Sequence, residues 1–343
     1  MAASSSRSSS SRCIPSLSSV VDAEDFSQDG ILALPNPFNL HSGSSLRDAS
    51  LAWTSVGPAQ APVVLVLGGI SAHSQSAGAQ GWWQAQCGVG KALDTRRFRL
   101  LGIDWLGGCD ASTGARGDSD FPRIDALDQA HAILALLNHL GIRRVHLAVG
   151  ASYGGCVVQH LARLLGPARL IRAVIISAAQ RASQFGLAIR SLQRAIVTQA
   201  RDATEALKLA RQLAMLSYRT PQELEQRFAA QPAEQGVLAY LRHHGERFVE
   251  RFDPISFARL SESLDAHNIA PQDIAVPTTL VAVREDLLVP VEQLREFAAL
   301  IAAPCELVEI SSLYGHDAFL KEQSQIGAVL RRALANTTVG EVA

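Results

Sequence analysis

Short apolar runs alternate with amphipathic segments along the first half of the chain. Residues 62–67, 98–104, 145–149 and 173–177 have the length and apolar content of buried strands. Residues 124–140 place apolar side chains at helical spacing and end at a glycine that suits a helix C-terminus. Strands that alternate with helices in this way predict an α/β fold, a mostly parallel sheet with helices on both faces.

The pattern changes between residues 180 and 269, which are rich in Arg, Gln, Glu and Ala and lack strand-like runs. Strands resume at 278–283 and 305–310, and helical spacing returns at 291–301 and 318–335. The simplest architecture is an α/β core interrupted by a helical insert. We therefore predict a core formed by residues 31–179 and 270–343 and an inserted helical lid formed by residues 180–269.

The first 30 residues form a separate segment. Residues 1–20 are rich in serine, contain two arginines and no acidic residue, and have no apolar stretch of the kind found in secretory signals. Organelle transit peptides share this composition, so a transit peptide is the alternative interpretation of residues 1–20. Such a segment buries too little apolar surface to order itself, so we predict that residues 1–30 form a disordered tail.

Composition narrows the class of protein. The chain has 343 residues, 48% of them hydrophobic and 18% charged, and its net charge is −1. A nearly balanced charge lacks the electrostatic footprint of a nucleic-acid binder. No apolar run approaches the roughly 20 residues that span a bilayer, so we expect no membrane association. The five cysteines are scattered and form no C-x-x-C pair, which favours a reducing, cytoplasmic compartment.

The strongest local motif is Gly150-Ala151-Ser152-Tyr153-Gly154, which follows a predicted strand and opens a predicted helix. A G-x-S-x-G sequence in this context is typical of a nucleophile elbow, where a sharp turn exposes the serine hydroxyl. The competing interpretation is a glycine-rich turn or a phosphate-binding loop. A phosphate-binding loop would carry lysine after its second glycine, whereas Gly155 follows here. We therefore predict that Ser152 is a nucleophile.

A serine nucleophile needs a base and an acid that orients the base. Asp286 follows the predicted strand 278–283, and His316 follows the predicted strand 305–310. Each residue alone would more often lie on a solvated turn. The order Ser, Asp, His at successive strand ends is that of α/β-hydrolase triads, so we predict Ser152, Asp286 and His316 as the catalytic residues.

Acyl transfer also needs backbone N–H groups that stabilise an oxyanion. One should come from Tyr153, directly after the nucleophile, and the second from Gly68 or Gly69 in the turn after residues 62–67. The two glycines are equal candidates. The remaining histidines show no metal-ligand spacing, so we expect no metal site.

Further segments together resemble the homoserine O-acyltransferase family of the α/β-hydrolase superfamily. The resemblance runs from about residue 35 to the last helix, so it covers nearly the whole chain. The matching segments are Gly81-Trp82-Trp83, Gly88-Val89-Gly90-Lys91-Ala92-Leu93-Asp94-Thr95, Leu106-Gly107-Gly108-Cys109, Ser112-Thr113-Gly114, Ser217-Tyr218-Arg219, Arg251-Phe252-Asp253-Pro254 and Gly315-His316-Asp317.

This resemblance implies an α/β-hydrolase fold and transfer of an acyl group from acyl-CoA to the hydroxyl of L-homoserine, in methionine biosynthesis. It implies acyl-CoA as a co-substrate with no bound cofactor, and a homodimer. It also implies that Arg194 binds the carboxylate of the amino acid and that Asp317 binds its amino group. Such a substrate suits a guanidinium that donates charge-assisted hydrogen bonds to its carboxylate and a carboxylate that accepts them from its ammonium group.

The chain departs from the acetyl-using members of the family in two places. Ala115-Arg116-Gly117-Asp118 replaces their usual Pro and Ser, and residues 197–206 are shorter and lack their Asp-Pro. Residues 188–194 are closer to the succinyl-using branch, which includes serine O-succinyltransferases. A succinyl group carries a second carboxylate, for which Arg190 and Arg116 are candidate partners. We expect succinyl-CoA and homoserine as substrates; acetyl-CoA, serine as acceptor, and simple ester hydrolysis remain alternatives.

Overall fold

The computed structural model describes residues 26–338 and shows an α/β fold built on one large sheet. The strands in the described range are β1 (Ser27–Ala33), β2 (Phe38–Asn39), β3 (Ser45–Leu46), β4 (Ser50–Val56), β5 (Val63–Leu67), β6 (Arg99–Ile103), β7 (Leu147–Ala151), β8 (Ala173–Ile176), β9 (Thr278–Val283) and β10 (Cys305–Ile310). Within that range the large sheet has eight strands in the order β1-β4-β6-β5-β7-β8-β9-β10, and β2 and β3 form a separate antiparallel pair. In the large sheet β1 pairs antiparallel with β4, β4 pairs antiparallel with β6, and all the other pairs are parallel.

Ten α-helices accompany these strands in the described range. They are α1 (Ala126–His139), α2 (Tyr153–Arg169), α3 (Gln184–Gln199), α4 (Ala203–Tyr218), α5 (Pro221–Phe228), α6 (Val237–Val249), α7 (Pro254–Ala266), α8 (Val291–Leu300), α9 (Ala318–Lys321) and α10 (Gln323–Thr338). None of the helices within residues 26–338 is long and apolar enough to cross a bilayer.

The central strands are apolar on both faces because helices cover both sides of the sheet. Every residue of β5, β7, β8 and β9 is buried. One hydrophobic cluster lies between the sheet and helices α1 and α2, and a second lies between the opposite face of the sheet and α10. A parallel sheet covered in this way needs nearly continuous apolar strands, which is why the sequence pattern revealed them.

The predicted boundary of the tail at residue 30 is wrong. Strand β1 begins at Ser27 and pairs along its whole length with β4. Most residues of β1 are exposed because β1 is an edge strand, and its hydrogen bonds to β4 hold it in place. Residues 1–25 of the predicted tail lie outside the described residues.

The helical segment between β8 and β9 consists of α3 to α7. Helix α4 packs against α3 and α6, and Leu207, Ala210 and Phe248 bury their side chains among these helices. All five helices lie within residues 180–269, the range predicted for the insert. The segment leaves the sheet at the carboxyl end of β8, the edge at which α/β sheets bind their ligands.

The last predicted helix, residues 318–335, is divided in the structure into α9 and α10. Glu322 separates the two with ψ near 65°, outside the helical region. The carbonyl of Phe319 accepts a hydrogen bond from the Trp83 indole at 2.8 Å, and that of Gln323 accepts one from Gln86 at 2.9 Å. These distant side chains occupy carbonyl groups at the break, a competition that helical periodicity does not reveal.

Candidate active site

The site is built around the turn that joins β7 to α2. Ser152 occupies this turn with φ 53° and ψ −118°. The chain can turn so tightly only because its neighbours lack side chains. A Cβ at Gly150 would lie 2.2 Å from the Gly154 carbonyl oxygen, and a Cβ at Gly154 would lie 2.3 Å from the Leu67 carbonyl oxygen. The turn presents the Ser152 hydroxyl at the carboxyl edge of the sheet.

The structure brings together the three predicted catalytic side chains. His316 Nε2 lies 2.8 Å from Ser152 Oγ, and His316 Nδ1 lies 2.7 Å from Asp286 Oδ2. The backbone N–H groups of Leu288 and Val289 donate to Asp286 Oδ1 at 2.9 and 3.0 Å. Asp286 therefore orients the imidazole with Nδ1 protonated, which leaves Nε2 free to accept the serine proton.

The electrostatic surroundings of His316 suit a general base. Burial alone lowers the pKa of His316, because it penalises the imidazolium. The buried Asp286 carboxylate more than offsets that effect, with a smaller contribution from Asp317, while Arg190 opposes it. The net result is a pKa above the usual value of 6.5.

The predicted oxyanion groups belong to the residue after Ser152 and to the turn after β5. Tyr153 is the first residue of α2, where backbone N–H groups have no partner within the helix. Gly69 lines the cavity that opens at Ser152, whereas Gly68 is absent from that lining. The Gly68 carbonyl accepts a hydrogen bond from Gly154 N at 2.8 Å and so fixes the turn beside the nucleophile. Gly69 is therefore the better placed of the two predicted glycines.

A cavity of about 480 Å³ extends from Ser152 and His316 beneath the helical insert. The loop after β5 and Trp82 form part of its wall. Helices α3, α4 and α7 form much of the remainder, together with the 3₁₀ turn that carries His316. Its volume falls within the range of small-molecule sites.

The structure does not bring Arg194 to Asp317. Arg194 is absent from the cavity lining; its Nη2 lies 2.6 Å from Asp265 Oδ2, and its Nη1 donates to Ser261 Oγ at 2.8 Å. Asp317 lines the cavity, makes no cap hydrogen bond to α9, and instead lies 3.0 Å from the Nε of Arg219.

The two candidate partners of the acyl group also differ in whether they line the cavity. Arg116 is exposed in a turn at φ 47° and does not line the cavity, so it is not a partner for a buried acyl group. Arg190 lines the cavity, and its Nε donates to Asp265 Oδ1 at 2.5 Å. Arg190 and Arg194 lie one helical turn apart on α3, yet only Arg190 faces the cavity.

Arg211 is the cavity residue that sequence reasoning missed. It lines the cavity from α4, and its buried Nε has no hydrogen-bond partner. Its guanidinium lies 4.8 Å from the centre of the Phe248 ring and 5.5 Å from that of Tyr218. Arg211 precedes Tyr218 by seven residues, two helical turns, so both share one face of α4. The sequence signal that could have identified Arg211 was therefore its spacing from Tyr218, which lies in the matching segment Ser217-Tyr218-Arg219.

No group of three or more His, Cys, Asp or Glu side chains within the described residues is arranged to hold a metal ion. Cys87, Cys109, Cys156 and Cys305 are free thiols.

Comparison with known proteins adds independent findings. Residues 62–323 match the α/β-hydrolase fold family. A homoserine O-succinyltransferase of Xanthomonas campestris pv. campestris is 43% identical over 318 residues, which cover 88% of this chain and 82% of that protein. A homoserine O-acetyltransferase of Mycobacterium sp. (strain KMS) is 32% identical, with 87% and 92% covered. The crystal structure of a homoserine O-acetyltransferase from Staphylococcus aureus superposes with a TM-score of 0.79 at 25% identity, covering 90% of this chain and 95% of that one.

Replacement of Ser152 by alanine tests the nucleophile. We expect turnover to fall about 10⁴-fold or more, because no other group would form the covalent intermediate. Intact-protein mass spectrometry after treatment with a fluorophosphonate should show one added phosphonyl group on the wild type and none on Ser152→Ala. Ser177→Ala is the matched control, since Ser177 also lines the cavity with a buried hydroxyl. Labelling of Ser152→Ala at the wild-type rate would contradict the assignment.

The pH dependence of acylation tests His316. The base must be neutral, so the acylation rate should fall about tenfold per pH unit below the His316 pKa, which lies above 6.5. Asp286→Asn removes the main cause of the raised pKa, so the acid limb should move to lower pH while the plateau falls. Recovery of activity on return to pH 8 controls for unfolding. An acid limb that stays in place in Asp286→Asn would refute the role of Asp286.

Proposed function

The chain belongs to the homoserine O-acyltransferase family of α/β-hydrolase-fold enzymes, and we propose that it transfers a succinyl group from succinyl-CoA to the hydroxyl of L-homoserine. The observation that carries this proposal is a Ser-His-Asp arrangement that opens into a cavity lined by buried charges of both signs. The relative at 43% identity, a homoserine O-succinyltransferase, favours the succinyl donor over the acetyl donor.

The cavity offers partners for a zwitterionic amino acid. Arg211 makes no ion pair with any carboxylate in residues 26–338, and its buried Nε lacks a hydrogen-bond acceptor. A substrate carboxylate would supply that acceptor and the missing negative charge. Asp317, next to His316 and facing the same cavity, would accept hydrogen bonds from the ammonium group.

The cavity also offers a partner for the distal carboxylate of a succinyl group. Arg190 and Arg194 share the single carboxylate of Asp265, so these three largely buried side chains carry a net charge of +1. Arg190 faces the cavity and is close enough to His316 to oppose its protonation. A carboxylate bound to Arg190 would neutralise the excess charge, whereas an acetyl group would leave it unbalanced.

In the first step, Ser152 Oγ attacks the thioester carbonyl carbon while its proton passes to His316 Nε2. The N–H groups of Tyr153 and Gly69 stabilise the tetrahedral oxyanion. The carbon–sulfur bond then breaks, and His316 returns the proton to the departing thiolate, which releases CoA. The product is a succinyl ester on Ser152.

In the second step, the homoserine hydroxyl attacks the ester carbonyl carbon and gives its proton to His316. The bond from that carbon to Ser152 Oγ breaks, and His316 reprotonates the serine. Water could attack the same ester, so transfer requires that the acceptor be held in place and bulk water be excluded. The helical insert above the cavity serves this purpose.

The proposed reaction also bears on the cofactor, the pathway and the cellular compartment. Acyl-CoA is a co-substrate, so the enzyme needs no bound cofactor. The product belongs to methionine biosynthesis, and the free thiols within the described residues are consistent with a cytoplasmic enzyme.

We also propose that the enzyme is a homodimer and that the insert helices form its interface. Helices α3 and α4 expose large apolar side chains that a monomer would leave in water. These are Phe185, Leu192, Leu209 and Leu216, each at least 43% exposed. A second copy of the chain is the partner implied by the family resemblance.

A matrix of two donors and two acceptors tests the proposed reaction. We expect the highest kcat/KM with succinyl-CoA and homoserine, and lower values with acetyl-CoA or serine. CoA release should depend on the acceptor, because the cavity protects the acyl-enzyme from water. Equal or better turnover with acetyl-CoA would overturn the donor assignment, and rapid acceptor-independent release would indicate a hydrolase.

The same matrix applied to variants separates the proposed roles of Arg190 and Arg211. Loss of a charge-assisted bond should lower kcat/KM about tenfold to a hundredfold. In Arg190→Met the loss should affect succinyl-CoA but spare acetyl-CoA, whereas in Arg211→Met it should affect homoserine with either donor. Arg116→Met, at an exposed arginine outside the cavity, is the control.

Sedimentation velocity tests the dimer. The wild type should sediment as a dimer at micromolar concentration, and Leu192→Glu/Leu209→Glu should sediment as a monomer, because buried carboxylates at an apolar interface are unfavourable. Leu300→Glu is the control, since Leu300 is similarly exposed but lies on α8, outside the insert. A monomeric wild type, or dissociation of the control as well, would refute this interface.

A further inference from the structure

Three consecutive residues join the insert to the turn that carries His316. Tyr218 ends α4, and its ring centre lies 5.8 Å from that of His316. Thr220 Oγ1 donates to the carbonyl of Leu313 at 2.6 Å. Gly315, at φ 53°, approaches so closely that a Cβ there would lie 3.0 Å from the Tyr218 carbonyl oxygen. The segment 218–220 therefore packs directly on the turn 313–317.

Arg219, in the middle of this segment, is a buried cation between two carboxylates. It is 5% exposed; its Nε lies 3.0 Å from Asp317 Oδ2, and its Nη1 lies 3.8 Å from Glu223 Oε1. Its guanidinium also lies 5.4 Å from the centre of the Tyr314 ring. Neither nitrogen has an acceptor aligned with its N–H bond, so both contacts are ion pairs without a linear hydrogen bond.

This arrangement fixes one oxygen of Asp317 and leaves the carboxylate facing the cavity. The Asp317 side chain is 13% exposed, and a carboxylate so buried requires a cation or hydrogen-bond donors. Arg219 is the cation that the chain itself supplies. Without it, Asp317 would lose the contact that fixes the orientation of its carboxylate towards the cavity.

We propose that Arg219 is a positioning residue for the acceptor: it holds the Asp317 carboxylate at the place where the ammonium group of the amino acid binds. This inference rests on the proposed function, since it presupposes an amino-acid acceptor. Arg219 forms its ion pairs with Asp317 and Glu223, and within the described residues it makes no hydrogen bond to Ser152, so we expect acyl-enzyme formation not to depend on it. If Arg219 merely anchored the insert, its loss would impair both half-reactions together.

The test separates the half-reactions in Arg219→Gln and Arg219→Lys. A burst of CoA release without acceptor measures acylation of Ser152, and steady-state transfer gives KM for homoserine. In Arg219→Gln we expect KM for homoserine to rise about tenfold or more, as for loss of a group that orients a charged contact, while the burst rate stays within about threefold. Arg219→Lys keeps the charge and should lie between Arg219→Gln and the wild type.

Arg227→Gln is the matched control. Arg227 pairs with the same Glu223 carboxylate at 3.6 Å, but its side chain is 48% exposed and it does not line the cavity. Its KM for homoserine should remain within about twofold of the wild type, as for an exposed ion pair. A second check is a double-mutant cycle, in which Arg219→Gln should add little to the effect of Asp317→Asn on KM.

Two outcomes would overturn the inference: an unchanged KM for homoserine in folded Arg219→Gln, or a parallel loss of burst and transfer. If Arg219→Gln does not fold, Arg219→Lys must still show the raised KM with a normal burst, or the inference fails. Failure of the proposed function looks different, because the wild type would then release no CoA in response to any amino acid.

Discussion

The tight turn at Ser152 is the constraint on which the rest of the site depends. A residue other than glycine at φ 53° and ψ −118° is strained, at a cost of about 1–3 kcal/mol, and persists only if the surrounding structure enforces it. Here the enforcement comes from buried strands on both sides and from α2, which packs against the sheet so closely that residues 150 and 154 must be glycine. The same geometry directs the hydroxyl to the edge where β9 and β10 end, within reach of His316.

The charged side chains around this turn follow a simple rule. Buried ions need counter-ions or hydrogen-bond donors, and two carboxylates near the cavity have them within the chain. Asp286 accepts hydrogen bonds from two backbone N–H groups and from the His316 imidazole, and Asp317 pairs with Arg219. Two positive charges near the cavity lack a carboxylate of their own among the described residues. Arg211 makes no ion pair within residues 26–338, and Asp265 is shared by two arginines. Each of the two substrates proposed for this enzyme brings one carboxylate to these charges. One is the distal carboxylate of the succinyl group, and the other is the carboxylate of the amino acid.

The sequence predicted the catalytic side chains better than the binding ones, for a physical reason. Each of the three follows a strand of the sheet: Ser152, Asp286 and His316. Parallel strands place their carboxyl ends at one edge of the sheet, so the topology alone groups the residues that follow them. Arg194 and Arg211 lie instead on helices of the insert, whose rotation depends on packing among α3, α4, α6 and α7. Both arginines fit an amphipathic helix equally well, and only the packing decides which one faces the cavity. The edge strand β1 was missed because its backbone pairing, rather than apolar burial, stabilises it.

The site also has to keep an ester from water while a second substrate replaces CoA. Esterase chemistry needs only the turn, the imidazole and the oxyanion groups, all of which the α/β core supplies. Selective transfer needs the insert as well, because Arg190, Arg211 and Tyr218 belong to it and because it roofs the cavity. The segment 218–220 connects the two parts at the turn that carries His316 and Asp317. Acceptor binding and base positioning therefore share one structural support, so an acceptor that fits the insert is also presented to the base.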